Sequence, residues 1–244
     1  MKIISPALSR SSDLVRCGMS TRLGGASPPP MGLNLSYSVG DAEANVHMNR
    51  LLFFDFLGIG LDRIAVPKQV HGDMVRRADT PGSYAECDAL VTNVPGVYPC
   101  VTVADCVPLF LLDSEKKAVG AVHAGWKGSA AGVTRKAVEM MTREYSSQPE
   151  GLLAFIGPCA GACCYVVGED VVKKFDQRFV QRDGGRFYLD LKAVNLHQLL
   201  ESGLMPSNVE LSPHCTISES DLFHSHRRDR ERSGRMMGVI GLVP

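Results

Sequence analysis

Between residues 101 and 132 the chain reads VTVADCVPLFLLDSEKKAVGAVHAGWKGSAAG, and this stretch constrains the fold more than any other. Apolar, β-rich runs at residues 100–104 and 107–112 are followed, after Asp113-Ser114-Glu115-Lys116-Lys117, by a third run at 118–124. Short runs of that composition, bounded by polar turn residues, predict adjacent strands joined by tight connections. Cys106 sits at the break between the first two runs and His123 near the end of the third, so hairpin pairing brings thiol and imidazole together. Gly125-Trp126-Lys127-Gly128-Ser129 then opens an Ala-rich segment of helical character. A strand that ends in a thiol or imidazole and leads into a glycine-rich helix start is a common way to build an active site.

At 244 residues the chain can bury a sizeable core in one large domain or two small ones, and the lack of any repeat, low-complexity tract or linker favours one. Basic and acidic residues balance at 26 each, so no global field points to nucleic acid or an anionic membrane. No run reaches the roughly 18 apolar residues of a membrane span, and MKIISPALSR lacks an apolar signal core. A cytoplasmic protein is expected, as a monomer or weak homodimer, since no feature demands a partner. Eight cysteines dispersed through a chain of this length read as reduced thiols, some of them metal ligands, rather than as a disulfide framework.

Along the chain, residues 17–36 (CGMSTRLGGASPPPMGLNLS) predict an irregular loop. Arg22 beside Ser20 and Thr21 makes it either a surface crossover or a group of donors for a phosphate or sugar hydroxyl. Residues 41–56 predict an amphipathic helix capped by Asp41, with Val46, Asn49, Arg50, Phe53 and Phe56 at helical spacing. The short run 64–70 reads as a strand that delivers His71 and Gly72. Alone, His71 is a surface side chain; placed near Cys106 and His123, it completes three nitrogen and sulfur ligands that suit zinc and leave a fourth position open.

Residues 87–92 predict another strand. Asp105 is costly at the mouth of a buried strand unless it is paired, caps a turn or carries a proton. Residues 129–145 predict one helix with Val133, Ala137, Val138, Met141 and Tyr145 facing the core. Its free N–H groups, with Lys127 nearby, favour an anion. A strand at 152–156 leads to the small-residue loop 157–165, whose Cys159, Cys163 and Cys164 are either packed wall or metal ligands. Helices are predicted at 168–179 and 191–202, the second after a strand at 187–190, with Asn195, His197 and Gln198 as polar-face or capping groups. A basic loop at 221–228 (His224, Ser225, His226, Arg227, Arg228) either reaches a ligand or is solvated, and 235–242 is the closing strand.

The series STRLGGAS, GLNLS, VHMNR, KQVHG, CDALVT, TVADCVPLFL, AVHAGWKG, IGPCAGACCY and SHRRD…SGRM, in that order, resembles the YfiH-like laccase-domain family from about Gly18 to Gly241. QVHG, ADC and HAGWKG together are highly specific. The resemblance implies an α+β fold, one domain over 1–244 of mixed β-sheets with flanking helices, and a zinc site of His71, Cys106 and His123. It also implies phosphorolysis of adenosine, inosine, guanosine and methylthioadenosine, with hydrolytic deamination of adenosine. Editing of peptidoglycan precursors and copper-dependent oxidation of phenols are associated with the family as well. Two departures bear on substrate preference: Val166 stands where Glu is expected in CCYEVG, and His226 where Tyr or Phe is common before Arg227-Arg228.

Each activity asks for different parts. Deamination needs activated water and a proton shuttle, for which Asp105 is the candidate by position, beside Cys106 and His123. Phosphorolysis needs a phosphate site, and Arg22, Lys127 and Ser129 at the helix start, with Arg50 of VHMNR, are the candidates. A multinuclear copper oxidase would need several His-x-His pairs, and His224-Ser225-His226 is the only one; Cu2+ remains a substitute for Zn2+ at a Cys-plus-His site. A metal-free hydrolase with Cys106 as nucleophile and His123 as base is the alternative from a different class. A non-catalytic nucleotide-binding module is the third.

Overall fold

The hairpin of strands Val107–Asp113 and Ala118–Ala124 forms the centre of the molecule, with Pro108 opposite His123 and Leu112 opposite Val119. Asp113 fixes its turn by accepting the N–H groups of Glu115 and Lys116 at 3.0 and 2.9 Å. The computed structural model describes residues 1–9 and 14–244. The hairpin lies inside a six-stranded sheet ordered Val209–Leu211, Leu153–Ile156, Val107–Asp113, Ala118–Ala124, Ala89–Thr92, Val75–Arg77. A second six-stranded sheet is ordered Ile3–Ile4, Val15–Ser20, Met236–Leu242, Tyr98–Val103, Ile64–Pro67, Gly82–Tyr84. A small third sheet comprises Val166–Val167, Arg186–Leu189 and Val180–Asp183.

The two large sheets face each other, and residue parity along the hairpin shows how. Phe110, Leu112, Val119 and Ala121 pack between the sheets with Val101, Phe155, Ile240 and Leu242. Phe110 and Phe155 stack there with ring centroids 6.4 Å apart. Leu109, Leu111, Val122 and Ala124 point the other way, into a core shared with Val133, Ala137, Val138, Met141, Val194 and Leu199 of the helices. Both faces of the hairpin are therefore dry, which is why its sequence is continuously apolar rather than alternating. On the far side, helix Glu43–Phe56 covers the second sheet with Phe53 and Phe54 against Tyr98, Cys100, Met237 and Val239. The layers run helix, sheet, sheet, helix, an α+β architecture of mixed sheets with flanking helices.

Several expectations are corrected. The run at 100–104 belongs to strand Tyr98–Val103, which pairs with Met236–Leu242 in the opposite sheet and not with its successor. The predicted loop at 17–36 begins as strand, since Cys17 to Met19 pair with the closing strand and Ser20 with Ile3. Asp41 is not the cap of the first helix: Ala42 holds that position, while the Asp41 carboxylate accepts from Ser27 and Asn34. Phe56 is exposed and Phe54 is buried in its place. The single helix expected at 129–145 is two, Trp126–Ala130 and Val133–Tyr145, parted at Gly132, whose φ of 81° lies in the left-handed region. The second piece buries the predicted face. The helix expected at 168–179 shrinks to Glu169–Val172 plus a separate turn at Gln177–Phe179. Among the described residues, no helix is long and apolar enough to cross a membrane.

Asn195 and Gln198, expected as polar-face groups, are buried in helix Leu191–Glu201 and pin the Trp126–Ala130 helix to it. Asn195 donates to Ser129 Oγ at 2.9 Å and to Leu191 O, and accepts from Thr134 Oγ1 at 2.7 Å. Gln198 donates to Ser129 O at 2.6 Å. Asn195→Ala leaves two buried hydroxyls without their partner and is expected to lower unfolding free energy by about 2–4 kcal/mol. Met48→Ala, on an exposed position, should stay within about 0.5 kcal/mol. Urea titration of both variants against the parent checks the difference.

Candidate metal centre

Three crossings of the seam between the large sheets meet at one point. After strand Ile64–Pro67, Gln69 turns its amide onto Thr102, donating to Thr102 O and accepting Thr102 N–H, both at 2.8 Å. That side chain prolongs the pairing of the two strands and aims the next residues at the seam. His71 follows with φ 60°, in the left-handed region that a non-glycine residue seldom adopts. Residues 104–106 carry the chain from one sheet to the other, with Asp105 at φ 90° making the bend. His123 ends the hairpin on the same side. The ligand atoms of His71, Cys106 and His123 lie within 4.8 Å of one another, and the two rings meet edge to face at 4.9 Å.

Asp88, fully buried just before strand Ala89–Thr92, organises this point. Its carboxylate faces His123 Nδ1 at 2.7 Å and accepts the N–H groups of Val70, His71 and Gly72 at 3.2, 2.9 and 2.7 Å. With Nδ1–H directed at Asp88, His123 presents Nε2 towards Cys106, the outer arrangement that ligating histidines use. Two glycines make room. A Cβ on Gly125 would stand 3.0 Å from Cys106 Sγ, and one on Gly128 only 2.6 Å from Gly72 O. The glycines of HAGWKG thus let the helix start close over the QVHG turn.

The donor set fits a metal. Two imidazoles and a thiolate with an open side suit Zn2+ and also accept copper. In the metal-free protein, burial works against the Cys106 thiolate, but the His123 charge and hydrogen bonds from His123 and His71 bring it down to about 6. His123 is likewise disfavoured as a cation by burial, yet Cys106 and Asp88 raise it to about 9. Asp88 resists its own burial through the same His123 contact and the surrounding N–H groups, and lies below the usual carboxylate range.

The three side chains open into a cleft of about 400 Å³ walled by Gln69, Thr102, Tyr165, His226, Arg227 and Arg235. None of the expected substrate groups Arg22, Arg50, Lys127 and Ser129 lines it. Arg22 donates to Ser220 O and Pro30 O, clamping two loops together. Arg50 donates to Leu35 O and covers the Tyr37 ring at 4.5 Å, in a separate hollow. Lys127 lies against Trp126 beside Lys174, outside the cleft. Ser129 is buried, its N–H donated to Gly125 O and its hydroxyl accepting from Asn195, so its side chain is turned into the helix packing and away from the cleft.

Asp105 does line the cleft, but as a clasp: Thr216 Oγ1 donates to one oxygen at 2.7 Å and the Arg227 N–H to the other at 2.6 Å. Both partners are distant in sequence, so the carboxylate is paired across the fold and does not cap its own turn. From the basic loop, His226 and Arg227 face the cleft, whereas His224 is fully buried and Arg228 is held by Thr216 O, Ile217 O, Phe223 O and Asp229. Sequence reasoning missed Asp88, Gln69, Tyr165 and Arg235. Asp88 carried the same signal as Asp105, an acid at the mouth of an apolar strand.

Residues 16–243 match the family described as multi-copper polyphenol oxidoreductase laccase. The purine nucleoside phosphorylase YlmD of Bacillus subtilis is 34% identical, over 93% of this chain and 88% of its own length. The purine nucleoside phosphorylase of Deinococcus radiodurans is 39% identical, over 97% and 93%. The crystal structure of YlmD from Geobacillus stearothermophilus superposes with a TM-score of 0.90 at 32% identity, over 95% and 93% of the two chains. With nearly its whole length matched in sequence and in fold, the chain belongs to the multi-copper polyphenol oxidoreductase laccase family, the YfiH-like laccase-domain proteins that its motifs resemble.

Proposed function

We propose that this protein is a zinc-dependent purine nucleoside phosphorylase of the cytoplasm, with adenosine deamination as a second activity at the same centre. The observation that carries the reading is the meeting of His71, Cys106 and His123 at the floor of a cleft whose wall includes two arginines. Relatives bearing the phosphorylase name across nearly the whole chain support it. When bound, zinc supplies a Lewis acid with an open coordination position.

The chain's own residues supply the rest. Arg227 and Arg235, with His226, present cationic and N–H donors to the phosphate, the charge-assisted contacts that suit its oxygens. Burial lowers Arg235 from its ordinary value while Asp105 and Cys106 support its charge, so it remains a cation. Tyr165 gives a flat wall for the purine, and burial, reinforced by Cys106, pushes its phenol up to about 12, so it stays a neutral donor. The Asp105 clasp fixes the backbone of Arg227 and thereby the position of its side chain at the cleft.

A second reading rests on one observation. Asp88, His123 and Cys106 stand in the order orienter, base and nucleophile, with the thiol already inclined to ionise. That arrangement serves a metal-free cysteine hydrolase, with cell-wall precursors as the substrate class.

Metal content separates the two. Elemental analysis of chelator-free protein is expected to find one zinc per chain, with base released from inosine only when phosphate is present. His71→Ala, Cys106→Ala and His123→Ala should each lose the metal and about 100-fold or more of the turnover. A metal-free protein, inert towards purine nucleosides, whose Cys106 is alkylated with a midpoint near pH 6, would favour the hydrolase instead. Arg227→Ala is expected to raise the KM for phosphate by about 10–100-fold, the worth of a charge-assisted hydrogen bond, with Arg22→Ala nearly unchanged. Steady-state kinetics with phosphate varied at saturating inosine measures both.

A further inference from the structure

Behind the cleft wall lies a second group of soft ligands. The sulfur atoms of Cys163, Cys164 and Cys215 all stand within 4.8 Å of one another, with Cys163 and Cys164 at 3.3 Å. They come from two separate segments, the turn that begins at Gly161 and the loop after Ser212. Cys163 is exposed, Cys164 half-buried and Cys215 buried, so the group is anchored on one side and open to solvent on the other.

The Gly161 N–H donates to the Cys215 sulfur at 3.3 Å, a contact of the kind that holds a metal-bound thiolate in place. The frame is also stiff before anything binds. Glu219 accepts the Cys215 N–H at 2.8 Å and holds His214 with its other oxygen, and Thr216 N–H donates to Cys159 O at 2.9 Å. On the other segment, Gly161 O accepts from both Cys164 and Tyr165 N–H at 3.0 Å.

We propose that Cys163, Cys164 and Cys215 form a second metal site, distinct from the His71, Cys106 and His123 centre, that takes one copper(I) ion in trigonal thiolate coordination. An ion with metal–sulfur bonds of about 2.3 Å at the centre of a triangle needs sulfurs about 4 Å apart, within the observed spread. Among the described residues, no His, Cys, Asp or Glu joins the group as a fourth ligand. Zinc here would need a water as its fourth ligand, as at the first centre, whereas three thiolates alone complete a trigonal shell for soft monovalent copper. On binding, each thiol that is still protonated releases its proton to solvent, and no electron is transferred. The site would brace the cleft: Cys164 precedes Tyr165 of the wall, and Cys215 precedes Thr216, which holds Asp105.

The test is an anaerobic copper(I) titration of the full chain, preloaded with one equivalent of zinc, against a chromophoric copper(I) chelator, followed by X-ray absorption at the copper edge. One further ion per chain with a sulfur-only shell is expected. His71→Ala should leave that ion and its shell unchanged. C163S, at an exposed position that spares the core, should weaken it by about 10–100-fold, and C215S should do the same or more. Equal affinity in the parent and in C163S, nitrogen in the copper shell, zinc retained at the three cysteines under copper(I) challenge, or no tight binding at all would each overturn the proposal.

Discussion

Everything at the seam depends on the Asp88 carboxylate. It is completely buried, a placement that costs several kcal/mol for a charge without partners. Four donors offset that cost: His123 on one side and the successive N–H groups of Val70, His71 and Gly72 on the other. The same contacts do two structural jobs. They hold His71 in a left-handed conformation that it would otherwise leave, and they fix the ring orientation of His123. The backbone adds a further tie, since His123 N–H donates to Asp88 O at 2.7 Å. Two candidate ligands from opposite sheets are thus positioned by one side chain that is fully buried and does not line the cleft.

Asp105 repeats the device at the other crossing. Like His71 it sits at a positive φ, and like Asp88 it spends both oxygens on distant parts of the chain, here Thr216 and Arg227. Each strained bend is held by a buried acid: Asp88 joins the His71 and His123 segments, and Asp105 joins the Cys106 bend to Thr216 and Arg227. A fold made of two sheets face to face has no intrinsic reason to keep its edges in register at the seam. The two carboxylates supply that reason.

The parts of this arrangement that local sequence encodes were legible. The hairpin could be read because turn residues and apolar runs define it, and antiparallel pairing then brings Cys106 and His123 to one end. The core face of Val133–Tyr145 could be read because a 3.6-residue period is local. What escaped was long-range. An apolar run does not say which of two sheets receives it, and Tyr98–Val103 pairs with distant strands instead of its successor. Arg22 and Arg50 sit in recognisable motifs, but an arginine that clamps loop carbonyls and one that binds phosphate have the same sequence signature. Asn195 and Gln198 looked like surface polar groups because nothing nearby showed that another helix start would need their amides. A glycine inside a helical pattern does not by itself reveal a left-handed φ, so the break at Gly132 is not legible locally.

The His123 tautomer makes the two readings of the centre alternative states of the same atoms. With Nδ1–H committed to Asp88, only Nε2 can act. In the metal-free protein it takes the proton of Cys106, and the resulting pair is ionic between about pH 6, where the thiol ionises, and about pH 9, where the imidazolium is lost. A metal needs the thiolate and the Nε2 lone pair together. Near neutral pH the thiolate is already formed, so loading the pair must expel only the imidazolium proton. Below about pH 6 the thiol proton must leave as well, and affinity falls accordingly. The ion pair therefore prepares the sulfur for a cation while it keeps the imidazole occupied, and a nucleophilic thiolate persists at this centre only for as long as no metal displaces that one proton.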